Sequence, residues 1–189
     1  MENQLTWDEY RVLARRTQDP TLSPREKLAH AVLGLCSELH EADVESSALI
    51  FGSPEFINDV KQRLALEIGD CYWMIAELCD YMESEIEVPL FSSPYRKKSG
   101  STTLPRVGEA GFRSCVSYLC GMAQKAFQGH KPDNTLRTKY ALSVIGGRLS
   151  VLAEKSGFDT PVILHMNIEK LKKRYPDGFS ADRSVNRED

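Results

Sequence analysis

Along most of the chain the apolar residues return every three or four positions, and no useful length alternates apolar with polar as a half-buried strand would. That rhythm restricts the chain to helices packed on helices. Start and stop signals divide it. A first helix is predicted from near Thr6 and ends before Pro20, because proline disfavours helix at the residue before it. Ser23-Pro24-Arg25-Glu26 has the form of a helix start: Ser23 as N-cap, Pro24 at the first position, Glu26 closing a capping box. This second helix is predicted to reach about Ile50. Ser53-Pro54-Glu55 repeats the signal, and a third helix is predicted from Glu55 to Ser84.

The stretch 87–108 breaks the pattern. It holds Pro89, Pro94 and Pro105, a Ser/Thr cluster and the basic run Arg96-Lys97-Lys98, and reads as a long surface loop. A fourth helix is predicted from Glu109 to Phe127, then a turn over 129–134. A fifth runs to about Lys155 and is ended by Gly157. Asp159-Thr160-Pro161 opens a sixth, which stops near Tyr175-Pro176. The polar tail from Asp177 is expected to be loosely attached. The expectation is an all-α bundle of five or six helices forming one domain over 1–189.

A length of 189 residues suits a single core, and a net charge of −3 gives no ground for nucleic acid as the main partner. The five cysteines form no Cys-x-x-Cys pair and read as buried, reduced thiols. The opening MENQLTWDEYR has no apolar signal core, and no run is long enough for a bilayer, so a cytoplasmic, membrane-free location is expected.

Two acid pairs carry the chemistry: Glu38-Leu-His-Glu41 on the second helix and Glu67-Ile-Gly-Asp70 on the third. Residues three apart are neighbours on one helix side. With Leu28 at zero and about 100° per residue, the second helix's apolar stripe spans roughly 300° through 40°, with Glu38 at about 280° and Glu41 at about 220°. With Leu64 at zero on the third helix, Glu67 falls at about 300° and Asp70 at about 240°. Each pair flanks its helix's buried face. An antiparallel pairing across the short Gly52-Ser53-Pro54 connection brings all four together. Four close carboxylates need protonation, Lys or Arg partners, or a metal, and an all-oxygen set suits Mg²⁺ or Mn²⁺. The alternative is a set of ordinary solvated surface acids. A di-iron bundle is disfavoured, because it uses Glu-x-x-His pairs and His40, at about 120°, points away.

With these motifs the sequence resembles the all-α nucleoside triphosphate pyrophosphohydrolases, and specifically the MazG-like group. That superfamily also holds the dimeric dUTPases and the phosphoribosyl-ATP pyrophosphohydrolases. Its hallmark of Glu-x-x-Glu, a spacer and Glu-x-x-Asp is matched by GLCSELHEA and LALEIGDCYWMIAEL. YRVLARRT near the start and NIEKLKKRYPDGFS near the end are similar to further blocks of the group. The resemblance covers 5–84 and 160–183, with 87–108 and the helix at 109–127 standing as an insertion.

The resemblance implies hydrolysis of a nucleoside triphosphate between the α and β phosphates, with Glu38, Glu41, Glu67 and Asp70 holding Mg²⁺. Either Glu38 or Glu41 would hold or deprotonate the attacking water. Asn167, Lys170, Arg174 and Tyr175 are the implied nucleotide contacts, and Lys61 is a further candidate. Glu77 reads as a solvated acid or an outer neighbour of the site. Trp73 lies off the core stripe and suits a subunit interface or a stacked base. A homodimer or homotetramer is implied. Two alternatives stand beside this reading: a non-catalytic helical module that binds nucleotide or protein, and an enzyme of the phosphoribosyl-ATP type.

Overall fold

The computed structural model describes residues 5–82, 109–131 and 136–186. Among these residues there are seven α-helices and no strand: α1 Trp7–Arg15, α2 Pro24–Phe51, α3 Ile57–Tyr81, α4 Glu109–Phe127, α5 Leu136–Ser156, α6 Thr160–Arg174 and α7 Ala181–Val185. The protein is all-α, as the periodicity requires. The predicted loop at 87–108, its basic run and the end of the third helix at Ser84 lie outside the described residues.

The helix starts follow their caps. Thr6 accepts from the Glu9 backbone N–H while the Glu9 carboxylate accepts from the Thr6 N–H, and Ser23 and Glu26 repeat this reciprocal pair before Pro24. Ser53-Pro54-Glu55 does something different. Its proline opens a single 3-10 turn, Pro54–Phe56, and α3 begins only at Ile57. Gly157, at φ +81°, ends α5 in a left-handed conformation that other residues adopt at a cost.

α3 is the central element, packed against α1, α2, α5 and α6. Leu64, Ile68, Cys71, Tyr72 and Ile75 on α3 are fully buried, as are Leu28, Ala31 and Val32 on α2 and Leu142, Ile145 and Leu149 on α5. α2 and α3 run antiparallel. Glu45 pairs with Arg63 near the connecting turn, and His30 pairs with Glu77 at the far end. Of the cysteines, Cys71, Cys79 and Cys115 are buried, whereas Cys36 and Cys120 are only half-buried, with Sγ atoms 3.5 Å apart across α2 and α4.

The expectation of a loose tail from Asp177 is corrected as far as residue 186, and 187–189 lie outside the described residues. The Phe179 N–H donates to the Arg16 carbonyl at 3.0 Å, the Phe179 ring stacks on Tyr175 at 6.1 Å, and α7 follows. The polar composition of this segment conceals an aromatic anchor and a backbone bond to α1, which offset the ordering cost.

Candidate metal and nucleotide site

The antiparallel packing of α2 and α3 brings Glu38, Glu67 and Asp70 together, with one carboxylate oxygen of each within 4.8 Å of the others. Two oxygens bound to one Mg²⁺ at about 2.1 Å lie no more than about 4.2 Å apart, so small side-chain rotations would let the three share an ion. The set is all-oxygen and fits a hard cation. Glu41 lines the same cavity but is exposed and stands outside the triad, where its carboxylate accepts from the Ser37 hydroxyl at 3.1 Å.

Asp70 is held from α6. Asn167 donates its amide N–H to Asp70 at 2.7 Å, and Lys170 forms an ion pair with the other carboxylate oxygen. Asn167 in turn accepts from the Tyr10 hydroxyl at 2.8 Å. Gly69 makes this approach possible. A Cβ there would lie 2.8 Å from the Asn167 Cβ, so any larger residue would push α6 away from Asp70. The glycine inside the Glu67-Ile-Gly-Asp70 motif is therefore a packing requirement of the site.

Burial and mutual repulsion disfavour the charged forms of these acids. Burial, then the carboxylates of Asp70, Glu41 and Glu67, push Glu38 up to about 7 against a partial offset by Lys170. Burial and Asp70 also push Glu67 up. Two cations, Lys170 and Arg174, line the cavity with four acids, Glu38, Glu41, Glu67 and Asp70.

The triad opens into a cavity of about 470 Å³. Lys170, Arg174 and Tyr175, three of the nucleotide contacts that the resemblance implies, line it. Two of the expected contacts do not. Asn167 is fully buried and absent from the cavity wall, so it is corrected from a nucleotide contact to a residue that orients Asp70. Its spacing from Lys170 and Arg174 hid the fact that Tyr10 and Gly69 cover it. Lys61 also lies outside the cavity wall. It precedes Glu67 by six residues, so about 600° of helical turn carries it to a different face.

Two residues of the wall, His30 and Asp19, were not singled out from the sequence. Glu77 is 1% exposed rather than solvated, and its carboxylate binds His30 Nδ1 at 2.6 Å. Trp73, His30 and Asp19 line the cavity beside this pair, with the Trp73 and His30 rings edge to face at 5.8 Å. The Trp73 N–H donates to the Thr17 hydroxyl at 2.9 Å, which fixes the indole as a cavity wall. The signal was the i, i+4, i+8 series His30, Gly34, Glu38, which places the histidine on the acid side of α2.

Compared with protein-family models, with curated proteins and with solved structures, the chain matches none.

Proposed function

We propose that the protein is a MazG-like nucleoside triphosphate pyrophosphohydrolase, which cleaves between the α and β phosphates to give a nucleoside monophosphate and pyrophosphate. The observation that carries this reading is the convergence of Glu38, Glu67 and Asp70 on one cavity, where burial and mutual repulsion push Glu38 up to about 7. A Mg²⁺ or Mn²⁺ ion held by these three acids would screen the triphosphate and lower the pKa of a water. Glu41, on the cavity wall but outside the triad, would orient that water and take its proton. Lys170 and Arg174 present cationic groups to phosphate oxygens. Asn167 and Tyr10 keep Asp70 in its binding orientation. A cytoplasmic homodimer or homotetramer completes the proposal, on the strength of the sequence resemblance.

The test is a screen of canonical and modified nucleoside triphosphates with Mg²⁺, reading pyrophosphate and monophosphate in equal amounts. Both products should vanish when the metal is chelated. Orthophosphate release, or no product from any nucleotide, would defeat the proposal. A second reading is favoured by the Lys170–Asp70 ion pair, which already offsets part of the acid charge. On that reading the protein is a non-catalytic nucleotide-binding module, and the screen finds binding without turnover.

A further inference from the structure

Glu77 is a carboxylate sealed inside the bundle, 1% exposed, and a charge so placed needs a partner. Its Oε2 has His30 Nδ1 at 2.6 Å, and its Oε1 has no hydrogen-bond partner among the described residues. His30 is therefore the group that compensates it. The histidine side chain is 45% exposed and opens onto the cavity, so a buried acid fixes the ring at the wall.

The pairing decides what His30 offers. A buried pair is cheapest when its net charge is zero. Two arrangements achieve that: an imidazolium beside a carboxylate, or a neutral imidazole beside a carboxylic acid. In the first, Nε2 carries a proton. In the second, Nδ1 accepts from the acid, and Nε2 again carries the proton. In both of these net-neutral arrangements Nε2 is a donor, whereas a neutral imidazole donating Nδ1–H to a carboxylate would leave the pair with a buried net charge, the costlier state. The Glu77 hydrogen bond holds the imidazole above its ordinary pKa against the opposing effect of burial, and the nearby Asp19 acts in the same direction as Glu77.

Position points to the recipient. His30 precedes Glu38 by eight residues, about 12 Å along the α2 axis. Trp73 follows Asp70 by less than one turn of α3 and meets the His30 ring edge to face. A nucleotide whose phosphates sit at the acids and whose sugar and base extend along α2 would bring the base to Trp73 and His30. The Leu22 side chain and the stacked Tyr175–Phe179 pair line the same cavity, so its walls are suited to a planar ring.

We propose that His30, anchored by the buried Glu77, reads the nucleobase of the bound nucleotide by donating a hydrogen bond from Nε2 to a ring carbonyl. The inference rests on the pyrophosphohydrolase reading only in requiring that a nucleotide occupies this cavity. It makes His30 a specificity-determining residue that favours oxo bases over their amino counterparts. An amino group in that place would face a donor with a donor and leave both unsatisfied.

The full-length protein provides its own probe. It has two tryptophans, and of these Trp73 lines the cavity while Trp7 is buried in the core. Tryptophan fluorescence is titrated with UMP against CMP and with IMP against AMP, as ribo- and deoxyribonucleotides, with Mg²⁺. The members of each pair differ in a carbonyl against an amino group at one ring position. In the better-bound pair the oxo member should bind about tenfold more tightly. His30→Phe should bring that ratio to about one. Because that change strands Glu77 without a partner, His30→Phe/Glu77→Leu is measured beside it and should lose the preference with unchanged helical circular dichroism.

Equal affinities in the natural protein, no binding, or a preference that survives in both variants would overturn the proposal. Pyrophosphate release is read separately. A base preference lost in the variants without turnover would retain His30's role and remove the hydrolase. Turnover with equal affinities for both members of each pair would do the reverse.

Discussion

Asp70 and Asp80 stand on the same helix, one in the triad and one at the α1 contact, and the fold treats them oppositely. Asp80 is 13% exposed and receives Arg11 at 2.7 Å and Arg15 at 2.7 and 2.8 Å. Burial pushes its pKa up, but the hydrogen bonds from Arg15 and Arg11 outweigh that and hold it below the usual carboxylate range. Two guanidiniums answer one carboxylate, and the result is a clamp between α1 and α3. Around Asp70 the ratio is reversed, with Lys170 set against three acids of the triad. Glu38 and Glu67 are pushed up rather than down. Acids matched by protein cations hold helices together, whereas acids left in excess are available to a cation from solution.

The sharpest way to break that comparison is to neutralise one acid of each kind. Glu38→Gln or Asp70→Asn should abolish pyrophosphate release, a loss on the order of 10³-fold or more, with the helical circular dichroism retained. Because Glu38 lies in a field of like charge, Glu38→Gln should melt no lower than the natural protein without metal. Full activity in both variants would remove the distinction. Asp80→Asn should act in the opposite sense. It strands the part-buried Arg11 and should cost about 1–3 kcal/mol in denaturant unfolding, while Mg²⁺-dependent turnover by the folded fraction is preserved. A variant of Asp80 as stable as the natural protein would mean that the clamp is not what joins α1 to α3.

Much of this arrangement is visible in the amino-acid sequence because helix periodicity and caps are local. Thr6, Ser23 and Gly157 mark ends that need no knowledge of the rest of the chain. The two acid pairs are visible for the same reason, since i, i+3 spacing and the apolar stripe fix which side each takes. What the sequence conceals is partnership across elements. Asn167 reads as a nucleotide contact on the Lys170 side until Tyr10 and Gly69 close over it. Glu77 reads as either a solvated acid or an outer neighbour of the site because its partner His30 is 47 residues away on another helix. Glu41 falls outside the triad because it sits about 60° further from the apolar stripe than Glu38, enough to turn it toward solvent. The tail is misjudged because two aromatic side chains and one backbone bond outweigh a polar composition.

The smallest expected effect is the most selective, because it reads the sign of each acid's imbalance. Glu38 has an ordinary pKa of 4.5, raised in the fold to about 7. Between those values the folded protein keeps a proton that the unfolded chain has lost, so stability without metal should fall as pH rises through this window. Glu67 acts in the same direction. Asp80 has the opposite sign. Its contribution is present above 3.8 and is lost as pH falls through its lower folded value, outside the window of Glu38. His30, raised from 6.5, stabilises at low pH and loses that contribution as pH climbs through its folded value, so it overlaps the upper part of the window. Glu38→Gln separates the two: the decline that begins near 4.5 should shrink, and the His30 contribution should remain. On the proposed reading Mg²⁺ would need the deprotonated acids, so a rise in Tm on adding it should grow from about pH 5 to about pH 8. Melting curves across that range, with and without Mg²⁺, test this directly. A metal effect that is flat with pH would mean that the cation does not bind at Glu38, and the contrast between the two sets of acids on α3 would then have another cause.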